Sequence, residues 1–333
     1  MAVEKGDAYR LLALGDSFTY GWGVNIEATW VKQLESNLRA GGLEVEVINA
    51  GAPGAGPEDY ANTAARVIPI LEPDMVIVGM LHDDFTSAGP PGIEERVHKL
   101  LAAVRKVYPN LTRLLRHERP AWESVTPGEE GGEPKRKSAD ENRALDANAA
   151  RVNLEQVNAA GKARFERIDD EVKSAFLEGN LNPFLVIMAL NCPDHYLLRL
   201  DLDSPFVQTC IEQTAGHLGR LNAMARRHDA HALVVSIPLG PYVNENSYRN
   251  IQRVGFEADE RMLATDVPDR ATQIASEQAG LSFYAVTDGF RARRDDAGLF
   301  FELDGHFTPA GHELYAELIT PAIADAIASD AVK

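Results

Sequence analysis

The sequence predicts an α/β protein built around a central parallel sheet, with helices on both faces and a largely helical insertion. Two observations carry this. Short apolar runs at 9–14, 43–48 and 75–81 each give way to a turn and then to helical spacing, the rhythm of consecutive βα units. The third run, Met75 to Leu81, is continuous rather than alternating, as expected of a strand covered on both faces.

Taken in order, Tyr9 to Leu14 reads as a strand that stops at Gly15-Asp16-Ser17, and a helix follows over about Ala28 to Leu38. Leu43 to Ile48 is the second strand. The glycine-rich turn Asn49 to Gly56 then leads into a helix from Pro57 to about Ile68, with Pro57 suited to a first helical turn. After Phe85 the rhythm changes. Ile93, Val97, Leu100, Leu101 and Val104 follow helical spacing, and Phe165, Ile168, Val172 and Phe176 do so again, ending at Gly179. Between these stretches, residues near 126–142 are mostly charged with little to bury, so a mobile loop is expected.

The βα rhythm returns with a helix near Phe206 to Arg227, a strand over Ala232 to Pro238, a helix near Arg270 to Ala279 and a strand over Leu281 to Val286. A final helix begins near Pro309. The expected organisation is therefore a core from residues 1–85 and 205–333, a flavodoxin-like three-layer α/β/α arrangement, with residues 86–204 as a helical insertion placed to cap it.

Composition narrows the function. Lys and Arg total 33 against 50 Asp and Glu, a formal net charge of −17. That balance repels phosphate backbones and anionic lipid heads, so neither nucleic acid nor a membrane surface is an expected partner. Cys192 and Cys210 are the only cysteines, too few for a disulfide framework and without CxxC metal spacing. With no apolar segment long enough to span a bilayer and no leader-like start, the expectation is a cytoplasmic protein.

Three short segments carry candidate chemistry. Ser17 directly follows the first strand, at the carboxyl edge where such sheets place their active sites, and its hydroxyl can point into a cleft. The bland alternative is a turn or capping serine. A serine nucleophile needs a base, and Asp304-Gly305-His306 provides a histidine with a carboxylate two residues earlier. In a loop, that spacing lets the carboxylate turn back onto one ring nitrogen while the other faces the serine. The third segment, Asn49 to Gly54, follows the second strand, and its glycines permit close backbone approach. Its spacing is not the G-x-G-x-x-G of dinucleotide binding.

In order and strand placement these segments resemble a GDSL-type esterase of the SGNH hydrolase superfamily. Gly15-Asp16-Ser17 resembles the nucleophile block, Asn49 to Gly54 the second, Met75 to Phe85 the third and Asp304 to His306 the last. The resemblance implies Ser17 as nucleophile, His306 as general base and later acid, and Asp304 as its orienting partner. It implies an oxyanion hole from the Ser17 N–H, Gly54 and a third-block asparagine. Here the third block reads Leu81-His82-Asp83-Asp84, with no asparagine, so His82 or Asp83 takes that place. An ionised aspartate only accepts hydrogen bonds and would repel an oxyanion, whereas histidine can donate through a ring N–H and a protonated aspartic acid can also donate. His82 is the favoured donor.

Around the serine, Phe18, Tyr20 and Trp22 are placed to line a pocket, with Tyr20 and Trp22 the candidate substrate contacts. The remaining histidines, His312 among them, have no partner that the sequence identifies.

The expected activity is hydrolysis of a small O-acyl ester, such as an O-acetyl or carbohydrate ester, through an acyl-enzyme on Ser17 and with no cofactor. Two alternatives stand beside it. One is a non-catalytic binding or accessory protein with a weakened oxyanion hole. The other is a metal-dependent hydrolase using His82, Asp83, Asp84, Asp304 and His306 as ligands. The insertion helices offer a surface for a homo-oligomer.

Overall fold

The computed structural model describes residues 5–86, 139–296 and 298–330. The described residues fall into two compact units. The first lies within Met1–Pro90, Leu197–Arg249 and Ala258–Lys333, and the second within Pro91–Tyr196 and Asn250–Glu257. The short stretch 250–257 thus belongs with the second unit, although nothing in its sequence marks it off from its neighbours.

The first unit is built on five strands, β1 (Tyr9–Gly15), β2 (Val45–Asn49), β3 (Met75–Leu81), β4 (His231–Ile237) and β5 (Ser282–Tyr284). All pair in parallel, in the order β2-β1-β3-β4-β5. In this order the chain reverses its winding between β1 and β3, and the loops leaving their carboxyl ends diverge to opposite faces. The crevice so opened is where ligands of such sheets bind. All seven residues of β3 are buried, as its unbroken apolar run requires.

Helices follow in chain order: α1 (Ser17–Tyr20), α2 (Trp30–Ala40), α3 (Pro57–Leu71), α4 (Ala139–Gln156), α5 (Ala159–Phe165), α6 (Asp170–Glu178), α7 (Pro183–Asn191), α8 (Pro205–Arg227), α9 (Glu245–Val254), α10 (Val267–Gln278), α11 (Thr287–Ala292) and α12 (Pro309–Asp330). One face of the sheet is covered by α3, α8 and α10, which bury Tyr60, Ile211 and Ala271 against Leu12, Leu14, Val76 and Val78. The alternate residues of the strands, Leu11, Ala13 and Ile77 among them, are buried toward the other face, where α2 packs against α12.

The second unit contains α4 to α7. The single helix expected through Phe165 and Phe176 is broken: α5 ends at Phe165, and Asp169 caps α6 by accepting from the Glu171 and Val172 N–H groups. A capping aspartate outcompetes helical continuation because its carboxylate satisfies otherwise orphaned donors. Phe165 and Phe176 still meet, with ring centroids 5.7 Å apart. Gly179 ends α6 in the left-handed conformation at φ 75°. Arg253 pairs with Asp169 and Glu171. The helix expected over 93–104 and residues 126–138 of the expected loop lie outside the described residues. Residues 139–142 are not loop but the start of α4, an alanine-rich segment of good helix formers.

Candidate active site

Ser17 opens α1 immediately after β1. The turn that places it requires glycine at Gly15, where a Cβ would sit 2.7 Å from Thr19 Cβ and 2.8 Å from the Gly79 carbonyl of the neighbouring strand. Asp16 caps the turn by accepting from the Phe18 N–H at 2.9 Å, and its other oxygen lies 3.4 Å from Ser17 Oγ. Burial pushes the Asp16 carboxyl up to about 6, against the opposing pull of His306 and the Phe18 N–H.

The second block clasps this turn. Asn49 Nδ2 donates to the Thr19 carbonyl at 2.7 Å, and Asn49 Oδ1 accepts from the Gly51 N–H at 2.9 Å. Gly51 lies so close to the nucleophile turn that a Cβ would meet Thr19 C at 2.6 Å, so the close approach its glycine permits is to the protein's own backbone. Gly54 is exposed and holds φ 74°.

The last block closes on the serine. His306 Nε2 stands 2.8 Å from Ser17 Oγ, and His306 Nδ1 stands 2.5 Å from Asp304 Oδ1. The sharp turn between them uses left-handed backbone at Gly305 (φ 83°). It folds back further through the Phe301 N–H, which donates to the His306 carbonyl at 2.8 Å. Burial opposes ionisation of Asp304, yet the hydrogen bond and charge of His306 hold its carboxyl below the usual range. An Nδ1–H donated to Asp304 leaves Nε2 as the acceptor for the serine hydroxyl.

The third block departs from expectation. His82 is buried, and both ring nitrogens are engaged: Nε2 lies 3.0 Å from Asp269 Oδ1 and 3.1 Å from Thr287 Oγ1, while Nδ1 accepts from the Leu239 N–H at 3.4 Å. Burial would raise Asp269, but the His82 charge and bonds from His82, Thr287 and Ser236 bring it down to about 2. His82 therefore ties together α10, the start of α11 and the loop after β4, and has no ring N–H to offer an oxyanion, which corrects its assignment as donor.

Asp84 turns inward. Its Oδ2 accepts from the Leu81 N–H at 2.8 Å and from the Tyr60 hydroxyl at 2.6 Å. Burial, together with the charges of Asp16 and Asp83, raises its carboxyl well above the usual range. Asp83 is half-buried, and its charge acts on Asp16, Asp84, Tyr60 and Tyr242. Of the two residues that could take the third-block place, Asp83 is the one electrostatically coupled to the nucleophile turn.

The aromatic residues divide. Phe18 is buried, with its ring 4.7 Å from His306 and 5.0 Å from Phe307, so it supports the histidine rather than lining an open pocket. Trp22 is half-buried, 6.1 Å from the His306 ring, and Tyr20 is 53% exposed. The five residues considered as metal ligands do not converge, since His306 and Asp304 bind each other while His82 and Asp84 are engaged elsewhere. Among the described residues no group of three or more His, Cys, Asp or Glu side chains could hold a metal ion, and no helix is long and apolar enough to cross a membrane.

A serine, a histidine and an aspartate are thus joined by hydrogen bonds at the carboxyl edge of a parallel sheet, an arrangement able to carry acyl transfer. The chain belongs to the GDSL-like lipase/acylhydrolase family, whose model matches residues 13–184. An arylesterase of Vibrio mimicus is 30% identical over 100 residues, 29% of this chain and 48% of that protein, so the chain spans about half the length of this curated relative. Among solved structures, TesA is 12% identical with a TM-score of 0.44, covering 94% of this chain and 97% of its own. The psychrotrophic esterase EstA from Pseudoalteromonas sp. is also 12% identical, with a TM-score of 0.43 and coverages of 96% and 98%. With TM-scores below 0.5, these likenesses add nothing to the family assignment.

Proposed function

We propose that the protein is a serine esterase that hydrolyses a small O-acyl ester, an O-acetyl or carbohydrate ester being the simplest form, through an acyl-enzyme on Ser17. The observation that carries this reading is the chain of contacts from Ser17 Oγ to His306 Nε2 at 2.8 Å and from His306 Nδ1 to Asp304 Oδ1 at 2.5 Å. A turn or capping serine has no need of a histidine oriented by a carboxylate, and neither does a binding module.

In this mechanism His306 Nε2 takes the Ser17 proton as Oγ attacks the ester carbonyl, and the negative charge moves onto the carbonyl oxygen. Asp304 stabilises the imidazolium through Nδ1–H. Collapse of the tetrahedral intermediate breaks the bond to the alcohol, which leaves with the proton from Nε2. Water then repeats the sequence on the acyl-enzyme, losing a proton to His306, and the acid departs with Ser17 restored. The main-chain N–H groups of Ser17 and Gly54 are the proposed oxyanion donors, and Asp83 occupies the third place. Tyr20 and Trp22 are the proposed substrate contacts, and no cofactor enters any step.

The test is labelling by a fluorophosphonate probe of the wild type, Ser17→Ala and His306→Ala, with turnover of p-nitrophenyl acetate and butyrate measured with and without chelator. Labelling lost in both variants and chelator-insensitive turnover are expected. A wild type that the probe leaves untouched would refute the esterase.

A further inference from the structure

Among the described residues, three other than glycine hold left-handed backbone: Glu72, Asp229 and Leu303. Glu72 and Asp229 follow the ends of α3 and α8, where that conformation is an ordinary way to close a helix. Leu303 closes no helix. It holds φ 62° in the loop 299–308, immediately before Asp304. Left-handed backbone presses Cβ toward the following carbonyl oxygen, so a leucine keeps it only where the surroundings impose it.

The surroundings do so from both ends of the loop. Phe300 and Phe307 pair as an antiparallel bridge, and just outside it the Thr308 N–H donates to the Leu299 carbonyl at 3.1 Å. Phe307 is buried and stacks on Phe290 of α11 with ring centroids 5.1 Å apart, which fixes the bridge in place. Inside the bridge the Phe301 N–H donates to the His306 carbonyl at 2.8 Å, and the Gly305 N–H to the Phe301 carbonyl at 3.0 Å. At the centre the Asp304 N–H donates to the Glu302 carbonyl at 2.7 Å. A hydrogen bond across two residues, around a middle residue of positive φ, is a γ-turn of the rare and strained hand.

This turn reverses the chain one residue ahead of Asp304. The carboxylate then faces back along the loop, where Oδ1 accepts from the His306 N–H at 3.3 Å and stands 2.5 Å from His306 Nδ1. Moving Leu303 from φ 62° to the usual negative region is a rotation of roughly 120°. With the loop ends held by the bridge, that rotation breaks the Asp304 N–H bond and carries the carboxylate away from the ring. An aliphatic side chain offers Asp304 no hydrogen bond, so what this position contributes to the pair is the path of the backbone.

Resting on the esterase reading above, we propose that Leu303 is a positioning residue for the reaction: its left-handed backbone aims the Asp304 carboxylate at His306 Nδ1. The strain held at Leu303 is what keeps the orienting carboxylate on the base.

The experiment makes Leu303→Gly, Leu303→Asn and Leu303→Ile in the full chain, with Leu303→Ile also combined with Asp304→Asn. It reads kcat and KM for p-nitrophenyl acetate, fluorophosphonate labelling and circular dichroism. Glycine and asparagine take left-handed backbone most readily, whereas isoleucine, nearest to leucine in size and polarity, takes it least. A backbone role and a side-chain packing role therefore predict opposite orders of activity. Leu303→Ile is expected to lower kcat by about tenfold to a hundredfold with KM little changed, and Leu303→Gly and Leu303→Asn by several-fold less. On the Asp304→Asn background the cost of isoleucine should shrink several-fold, since no carboxylate remains to be placed. Folded Leu303→Ile that keeps as much kcat as Leu303→Gly, or an isoleucine cost that is equal on both backgrounds, would overturn the proposal. If Leu303→Ile does not fold, the glycine variant decides: a loss below about tenfold in the folded protein sustains the backbone role, and a larger one overturns it. A wild type that is not labelled refutes the esterase itself and this proposal with it, whereas a labelled wild type with the reverse order of variants refutes the role of Leu303 alone.

Discussion

Replacing His312 by glutamine should flatten the acid side of the protein's stability profile. His312 lies in the first turn of α12, 1% exposed, where its Nδ1 accepts from the Trp30 N–H at 3.2 Å and its ring stands edge-on to Phe307 at 5.5 Å. The Trp30 N–H opens α2 and is a donor that helix geometry leaves orphaned, so one bond ties the last helix to the first long one. Burial, helped by the charge of His306, lowers the ring from 6.5 to about 4. The folded protein therefore resists a proton that the unfolded chain accepts. The stabilisation from this site is complete above pH 6.5 and is lost as pH falls toward 4. At about 1.4 kcal/mol per tenfold change the loss approaches about 3 kcal/mol, of which about 2.5 has gone by pH 4.5.

Urea unfolding followed by tryptophan fluorescence at pH 7.5 and 4.5 reads this directly, since Trp30 is the ring's own partner. Glutamine offers an uncharged acceptor, so the variant is expected to start lower at pH 7.5 from imperfect packing. It should then lose about 2 kcal/mol less than the wild type on acidification. Other groups titrate in the same window but do so in both proteins. An identical acid loss in wild type and variant would show that His312 is not the neutral, buried acceptor described.

Asp304→Asn should leave the fold intact but lower kcat for p-nitrophenyl acetate by about four orders of magnitude, because an amide no longer enforces the Nδ1–H tautomer of His306. A loss below about tenfold in steady-state turnover would remove Asp304 from the relay. Asp16→Asn should raise stability at pH 8 by more than at pH 5, since the folded protein penalises the Asp16 charge and the wild type loses stability as pH rises through about 6. Equal changes in unfolding free energy at the two pH values would contradict the buried, unfavourably ionised carboxyl.

Much of the site was legible where its logic is local. Asp304 and His306 are two residues apart, and a glycine between them suffices to turn the carboxylate onto the ring. Ser17 follows a strand, and parallel sheets put strand ends at the active edge whatever lies between them. The third block resisted for the opposite reason. His82, Asp83 and Asp84 are consecutive and all polar, and no pattern within three residues tells which turns inward. His82 found Asp269, 187 residues away, and Asp84 found Tyr60. Asp169 was a comparable case, since its capping role divided what the apolar spacing alone presented as one helix.

By itself the sequence determined the alternation of strand and helix, the burial of β3 on both faces, a serine just past the first strand and a histidine with an aspartate two residues before it, because periodicity and short-range spacing are written in consecutive residues. Only the tertiary structure decided that His82 is a strut, that Asp83 is the residue coupled to the nucleophile turn and that Arg199 bonds Thr86 from 113 positions away. Those outcomes depend on which distant side chains satisfy one another's charges and hydrogen bonds in a space from which water is excluded, and such pairings leave no periodic trace along the chain.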